Sequence, residues 1–169
     1  MKLKFKVLDQ RIGSEFETPK YQTAGSAGLD LLACIEDEIV LEPNESTIIP
    51  SGIAIFIENP EFAGIVIPRS GLGAKKGLVC GNLLGLIDSD YQGPLSISLW
   101  NRSNEKITIN AGERVAQLVV IRVDQVDLEQ VEDFVKTDRG SKGFGSTGIT
   151  CLLYTSPSPR DATLSRMPS

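Results

Sequence analysis

The aspartate that follows an apolar run in the middle of the sequence is the first candidate for chemistry. Asp88 comes directly after Leu86 and Ile87, inside the stretch Gly81–Gly93, which glycine closes at both ends. The apolar residues of this stretch should form a strand, so we expect the carboxylate to be partly sheltered from water and suited to act as a base. Histidine, the commonest general base, does not occur in the 169 residues. Asp88 is therefore the first residue to test for proton transfer, although an isolated aspartate at a strand end is more often structural.

A second group of residues has the chemistry of an anion site. Arg69 and Ser70 follow a predicted strand and open a short predicted helix, Ser70–Lys76, with Ser70 as its N-cap. Free N–H groups at a helix start, a guanidinium fork and a hydroxyl together suit phosphate oxygens. An ordinary glycine-rich turn with a surface arginine explains the same residues equally well.

Two further polar residues interrupt apolar segments. Asp30 lies within Ala24–Leu31, and its carboxylate could hold a magnesium-coordinated water or pair with an internal arginine, which we favour. Gln117 interrupts a long apolar strand, and a buried amide needs hydrogen-bond partners. Gln117 therefore either satisfies backbone groups, the interpretation that we favour, or faces a ligand. Asp90 would share a strand face with Asp88, and we interpret it as a turn or salt-bridge residue.

Composition argues against some classes of function. The net charge of −5 disfavours a general nucleic-acid binder or a protein of anionic membrane surfaces. No apolar run reaches the ~18 residues needed to span a membrane, and the N-terminus has no signal-peptide core, so we expect a cytoplasmic protein. The three cysteines lack the paired spacing of zinc sites, and we expect Cys34 and Cys80 to be reduced core residues.

The elements that must position these residues are short strands separated by turns. Segments rich in β-branched or alternating apolar residues recur along the chain, and turn-forming residues such as Pro50-Ser51-Gly52 separate them. This pattern predicts an all-β sandwich, jelly roll or barrel with one short helix. The predicted strands are residues 3–7, Ile39–Leu41, Thr47–Ile49, Ile53–Ile57, Gly64–Ile67, residues 95–99, Ile107–Ile109 and Val115–Val123.

The composition changes near the C-terminus. Residues 138–149 are rich in glycine and contain Phe144, which predicts a flexible arm that orders on a ligand, with the phenylalanine as a lid. Residues 150–169 are rich in serine and proline, and we interpret them as a tail foreign to the fold, such as a translated vector or linker remnant. The predicted organisation is thus a β-barrel domain at residues 1–137, followed by the arm and the tail.

The order of five short motifs resembles that of the trimeric dUTP pyrophosphatases, the dUTPase family. The motifs are Ala24–Leu31, Pro68–Gly73, Gly81–Gly93, Gly112–Leu118 and Arg139–Gly148. The resemblance implies a jelly-roll-like distorted barrel and a homotrimer with three active sites at subunit interfaces. It also implies hydrolysis of dUTP to dUMP and pyrophosphate, with Mg²⁺ held mainly by substrate phosphates. That reaction keeps uracil out of DNA and supplies dUMP for thymidylate synthesis.

The resemblance further implies roles for individual residues. Asp88 would orient and deprotonate the water that attacks the α-phosphorus, while Tyr91 would pack against the deoxyribose and exclude a 2′-hydroxyl. Uracil would be recognised by Asn82 and by backbone groups of Gly85, Leu86 and Ile87. Phosphate oxygens would be held by Arg69, Ser70, Gly71 and Gln117. The arm would supply Arg139, Phe144, Gly145, Ser146 and Thr147, with Phe144 over uracil and Ser146 and Thr147 at the γ-phosphate.

Two positions depart from the family pattern, and two rival functions stay open. Lys142 lies in the arm where many members have glycine, and Ser96 stands where relatives often carry a longer side chain near the base. A dCTP deaminase of the same fold needs a glutamate beside the base, but none occurs between Glu61 and Glu105. A nucleotide sensor without turnover would differ from an enzyme in releasing no pyrophosphate.

Overall fold

The computed structural model describes residues 1–143, and these are mostly β-strand, as the sequence predicted. Within the described residues, ten strands and one short helix follow one another along the chain. They are β1 Lys4–Val7, β2 Leu29–Leu32, β3 Ile39–Leu41, β4 Ser46–Phe56, β5 Phe62–Pro68, α1 Ser70–Lys75, β6 Leu78–Cys80, β7 Gly85–Ile87, β8 Pro94–Asn101, β9 Ile107–Ile109 and β10 Arg114–Arg122.

The strands form three separate sheets. Their strand orders are β1-β4-β8-β6, β2-β10-β5-β7 and β3-β9, and every pair is antiparallel. The all-β class is therefore confirmed, with one correction: the described strands do not close into a barrel. Within residues 1–143, the outer strands of each sheet keep one unpaired edge.

One core cluster joins the three sheets. In β8, Leu95, Ile97 and Leu99 are buried while Ser96 is exposed, because successive side chains of a strand point to opposite faces. Apolar residues of β2, β3, β4, β9 and β10 belong to the same cluster. The alternation seen in the sequence of β8 therefore predicts correctly which face is buried.

Two free cysteines belong to this core, as predicted. Burial raises the pKa of Cys34 to about 11 and also raises the pKa of Cys80. The thiolate is the nucleophilic form, so both side chains remain unreactive thiols near neutral pH. Their role is to fill space between the sheets.

Strand β4 overturns the turn predicted at Pro50-Ser51-Gly52. One continuous strand, Ser46–Phe56, runs through this stretch. Gly52 has a φ of +74°, and the pairing with β8 shifts register here, so a bulge bends the strand instead of ending it. A side chain at Gly52 would also come within 2.5 Å of the sulfur of Cys34. Glycine thus marks a bulge and a close packing contact where the sequence pattern favoured a turn.

Two other local predictions are wrong. The alternation in β1 predicts that the face with Phe5 and Val7 is buried, but all four residues are exposed, because no described element covers that face. Helix α1 has Arg69 rather than Ser70 as its N-cap residue, and no side chain caps it. The strands β2 and β6, which are four and three residues long, were not predicted at all.

The chain divides into two units, Met1–Asp127 and Leu128–Ser169. The ten described strands and the described helix lie in the first unit. The described residues of the second unit, 128–143, contain no helix or strand. The domain boundary that the sequence predicts at residue 137 stays a prediction. No helix among residues 1–143 is long and apolar enough to cross a membrane.

Candidate active site

The sheet β2-β10-β5-β7 carries most of the predicted site residues. Asp30 of β2 pairs in register with Gln117 of β10, which pairs in turn with Ile67 of β5. Arg69 follows the end of β5, and Asp88 follows the end of β7. Four motifs that lie far apart in the sequence thus meet on one sheet.

Asp30 is the centre of a polar cluster inside this sheet. Its side chain is only 6% exposed; its Oδ1 forms an ion pair with Arg69 Nε at 3.1 Å and accepts a hydrogen bond from Gln117 Nε2 at 3.3 Å. Its Oδ2 lies 3.6 Å from Arg114 Nε. The interpretation of Asp30 as the partner of an internal arginine is confirmed, with two arginines in place of one. A buried carboxylate needs such partners, because the loss of one partner of a buried ion pair leaves an uncompensated charge and is strongly destabilising.

These contacts hold Arg69 beside the start of α1. Its Nε forms an ion pair with Asp30, and its Nη1 donates to the carbonyl of Arg114 at 3.2 Å. The described residues supply no partner to Nη2, and about a third of the side chain is exposed. The first N–H groups of any helix lack intrahelical acceptors. Arg69 therefore presents free donors next to the free backbone donors of α1.

The surface around this helix start is open. Ser70 and Gly71 are both exposed, and a Cβ added to Gly71 would meet no atom within 4 Å. Gly71 is therefore not required by packing in the described chain. A ligand that approaches the backbone closely at this point is a physical reason for glycine.

Gln117 contributes through its side-chain amide. Its Nε2 donates to Asp30, so the favoured interpretation that it satisfies backbone groups is wrong. A Cβ at Gly28 would lie 3.2 Å from Gln117 Cβ and 3.5 Å from its Oε1. Glycine at position 28 thus leaves room for this amide against β2.

Sequence reasoning missed Glu17 as a member of the cluster. Arg114 Nη2 donates to Glu17 Oε2 at 2.8 Å. Hydrogen bonds to the carboxylate of Glu17 lower its pKa, and the bond from Lys20 has a larger effect than the bond from Arg114. Glu17 is 97 residues from Arg114 in the sequence, so no local pattern could reveal the contact. A hollow of about 410 Å³ lies here, lined in part by Glu17, Arg69 and Arg114.

The third motif lies at the opposite edge of the same sheet. β7 is the outermost strand, with Gly85 paired to Val66 of β5. The turn before it holds Leu83 at a φ of +63°, and a Cβ at Gly85 would lie 3.4 Å from the Nδ2 of Asn82. An edge strand presents unpaired N–H and C=O groups. This edge therefore offers a short row of donors and acceptors beside an amide side chain.

Asp88 is exposed, so the expectation that it is sheltered is wrong for the single chain. β7 has three residues and no neighbour on its outer side, so nothing in the described chain covers the carboxylate. The carbonyl of Asp88 accepts from the N–H of Tyr91 at 3.2 Å and closes a turn. Asp90 lies within this turn, in agreement with its interpretation as a turn residue.

Asp88 and the anion-binding groups lie far apart in one chain. Ile87 pairs with Gly64, so Asp88 is beside the first half of β5, whereas Arg69 follows its last residue. At about 3.3 Å per strand residue, roughly 15–20 Å separate the two. One phosphorus atom cannot contact both groups at that distance.

The remaining predicted residues fall into three places. Ser96 is on β8, in the other large sheet, and is exposed opposite Pro50. Ser98 is nearer to the third motif, since a Cβ at Gly81 would lie 2.6 Å from its Oγ. Arg139 belongs to the second unit and begins a turn closed by the N–H of Lys142 at 3.2 Å. Phe144, Gly145, Ser146 and Thr147 lie outside the described residues.

The polar residues do not form a dedicated metal cage. Among residues 1–143, no cluster of three or more histidine, cysteine, aspartate or glutamate side chains could hold an ion. Both oxygens of Asp30 face cationic partners. Mg²⁺ often keeps several waters and binds through substrate phosphates, and this donor set fits that mode.

Comparison with known proteins shows the family of the chain. The sequence model of the dUTPase family matches residues 14–148. The chain belongs to the dUTPase family. It is 56% identical over 148 residues to the deoxyuridine 5'-triphosphate nucleotidohydrolase of Acinetobacter baylyi, covering 88% of this chain and 99% of that protein. It is 54% identical over 147 residues to the protein of the same name from Escherichia coli, covering 87% and 97%.

Solved structures of family members have the same fold. A variant dUTPase of Staphylococcus bacteriophage 80alpha, in complex with dUpNHpp, superposes with a TM-score of 0.75 at 31% identity, covering 88% of this chain and 99% of that one. A variant dUTPase of the S. aureus phage phi11, which coordinates a structural Mg(II) ion, has a TM-score of 0.70 at 25% identity, covering 80% and 100%. The predicted jelly-roll-like fold is thereby confirmed.

Proposed function

We propose that this chain hydrolyses dUTP to dUMP and pyrophosphate, with Asp88 as the base that deprotonates the attacking water. The observation that carries the proposal is Arg69, held by the buried Asp30 beside the open start of α1, on the sheet whose edge strand ends at Asp88. Family membership supplies the substrate, because the relatives are named for the hydrolysis of deoxyuridine triphosphate.

The anion-binding side consists of Asp30, Arg69, Ser70, Gly71 and Gln117. Arg69 offers its free Nη2, Ser70 its hydroxyl, and the start of α1 its backbone N–H groups to phosphate oxygens. Asp30 binds no phosphate itself; it orients Arg69 and Gln117. Phosphoryl transfer depends mostly on positioning and on stabilising charge, which these donors provide.

The base-binding side consists of Asn82, β7 and the turn from Asp88 to Tyr91. Uracil bonds to the edge groups of β7 and to the amide of Asn82. Cytosine exchanges a donor for an acceptor and would leave such groups unpaired, which strongly disfavours its binding. The ring of Tyr91 packs against the deoxyribose where a 2′-hydroxyl would otherwise fit.

Asp88 acts on the water that attacks the α-phosphorus. A general base must lie within hydrogen-bond reach of the proton that it takes. Its exposed carboxylate is free to accept such a proton, and the bond from Tyr91 N–H fixes its backbone. Mg²⁺ bound to the substrate phosphates would neutralise part of their charge.

The separation of the two sides requires more than one copy of the chain. Because Asp88 and Arg69 of one chain are roughly 15–20 Å apart, a complete site takes its anion-binding side from one copy and Asp88 from another. A homotrimer with shared sites provides this arrangement. The closing of the arm, including Arg139 and Phe144, and the cytoplasmic location stay predictions.

Subunit complementation tests the shared site directly. Arg69→Ala and Asp88→Asn should each be inactive alone, yet co-assembly of the two should restore part of the activity. Restoration follows because some mixed sites then combine an intact Arg69 from one copy with an intact Asp88 from another. Two variants within the anion-binding side, Arg69→Ala and Gln117→Ala, serve as the matched control and should not complement. If co-assembled Arg69→Ala and Asp88→Asn stay inactive, the shared site is wrong.

Pyrophosphate release with Mg²⁺ tests the reaction itself. Turnover of dUTP should greatly exceed that of dTTP, dCTP and UTP. Ammonia released from dCTP would identify a deaminase, and tight nucleotide binding without turnover would identify a sensor. Either result overturns the proposed reaction.

A further inference from the structure

The glycine at position 93 is not explained by its backbone conformation. A Cβ added to Gly93 would lie 2.5 Å from the hydroxyl oxygen of Tyr91, 2.7 Å from Cζ and 3.1 Å from Cε2. The φ of Gly93 lies outside the left-handed range in which glycine is favoured. What requires glycine here is therefore the neighbouring aromatic ring.

The chain fixes the ring of Tyr91 over this glycine. The hydroxyl of Tyr91 donates to the carbonyl of Pro94 at 2.9 Å, and its N–H donates to the carbonyl of Asp88 at 3.2 Å. Residues 91–94 thus form a short loop whose tip is closed by the side chain. The residue remains 41% exposed, so part of its surface stays available to a ligand.

Several other glycines of the described chain lack such a close side chain or have a different reason to be glycine. Nothing lies within 4 Å of a Cβ added to Gly25, Gly71 or Gly143. At Gly52, Gly77 and Gly112 a positive φ already favours glycine. Gly93 belongs to neither group. As at Gly81, where a Cβ would lie 2.6 Å from Ser98 Oγ, an ordinary backbone meets a close side chain, and at Gly93 that side chain is an aromatic ring.

We propose that Gly93 is a positioning residue for Tyr91 and thereby determines how strongly the site rejects a 2′-hydroxyl. The inference rests on the proposed function, in which Tyr91 packs against the deoxyribose. With alanine at position 93, the methyl group and the phenol cannot occupy their present places together. The nearest atoms belong to the far end of a side chain, so the ring moves by rotation while the backbone stays. The moved ring opens the space in which a ribose hydroxyl fits.

The experiment measures kcat/KM for dUTP and for UTP in the full-length chain. Gly93→Ala should lower the dUTP-to-UTP ratio by about tenfold, the size expected when a pocket loses one steric contact. The kcat for dUTP should stay within about threefold, because Asp88 and the anion-binding side are unchanged. Gln92→Ala, an exposed substitution in the same turn, is the matched control and should leave the ratio unchanged.

A double-mutant cycle separates positioning from a general structural effect. In a Tyr91→Ala background the ring is gone, so Gly93→Ala should change the ratio no further. An equal fall in both backgrounds would show that Gly93 acts by another route. An unchanged ratio in Gly93→Ala would overturn the inference as well.

The test distinguishes this inference from the proposed function. A wild-type chain that does not hydrolyse dUTP overturns both. A wild-type chain that prefers dUTP to UTP, together with a Gly93→Ala variant that folds and keeps the same preference, overturns only the role of Gly93. Thermal unfolding of each variant shows whether it folds.

Discussion

The anion-binding side and the base-binding side are held in different ways. Asp30 is buried and ties Arg69, Arg114 and Gln117 into one cluster at β2, β10 and the end of β5. The base-binding side lies at the sheet edge, where Asp88 is exposed and Leu83 and Leu86 are 74% and 61% exposed. One chain therefore preorganises the proposed phosphate contacts, whereas the proposed base-binding side needs a cover from outside the described residues. Exposed apolar side chains beside it are typical of a surface that another molecule covers.

Removal of the carboxylate of Asp88, the proposed base, should have the largest effect. Asp88→Asn should lower kcat for dUTP by roughly 10²–10⁴-fold while nucleotide binding is retained. The free energy of unfolding should hardly change, because the side chain is exposed and bonds no other described side chain. Stopped-assay kinetics and thermal unfolding measure both quantities.

The neighbouring aspartate provides the control for that substitution. Asp90→Asn changes the same charge in the same turn, and kcat should remain near that of the wild type. Near-normal turnover in Asp88→Asn would remove Asp88 from the mechanism. Equal losses in both variants would show that charge in this turn, rather than proton transfer, supports activity.

Loss of charge at the centre of the anion-binding side should affect stability and activity together. Asp30→Asn leaves Arg69 and Arg114 without their shared counter-charge. Breaking a buried pair costs about 3–5 kcal/mol, and the partial exposure of both arginines reduces this to about 2 kcal/mol. Substrate affinity should fall at the same time, because Arg69 and Gln117 lose the group that orients them. Denaturant unfolding and KM for dUTP report the two effects.

A second partly buried ion pair tests whether the joint loss of stability and substrate affinity is specific to Asp30. Asp9 bonds Arg11 at 2.6 Å, with side-chain exposures of 19% and 25%. Asp9→Asn should lower stability but leave KM and kcat unchanged, since this pair does not contact the anion-binding side. An Asp30→Asn variant that loses stability with no change in KM would contradict the orienting role.

The smallest effect on stability and activity is expected for Glu17, the exposed member of the Asp30 cluster. Glu17→Gln removes an exposed partner of Arg114, and exposed ion pairs contribute little to stability. Because the pKa of Glu17 is lowered, its contribution is present above the ordinary value of 4.5 and disappears as the pH falls below it. The difference in Tm between wild type and variant should therefore be small at neutral pH and absent in acid.

The matched substitution is Glu61→Gln, which removes a similarly exposed partner of Arg122. Only Glu17→Gln should alter KM for dUTP, and only slightly. A larger fall in stability than Glu61→Gln causes would show that Glu17 holds the cluster more firmly than its exposure indicates.

Much of the fold could be predicted from local pattern. Strands β3 and β9 agree with their predicted bounds, and alternation in β8 predicts its buried face correctly. The bulge at Gly52 could not be predicted from local pattern, because it is a shift in the register between β4 and β8, which are far apart in the sequence. Short strands such as β6 gain their stability from pairing with β8 rather than from their own three residues.

The sequence by itself determined the all-β class, the motif order, and the candidate residues for the proposed chemistry. Residue types and spacing are enough for this, because alternation and turn residues act locally. Only the tertiary structure decided which partners Asp30 takes, that Glu17 joins its cluster, and that Asp88 lies exposed on an edge strand. These contacts join residues up to 97 positions apart, and their geometry follows from sheet order and register.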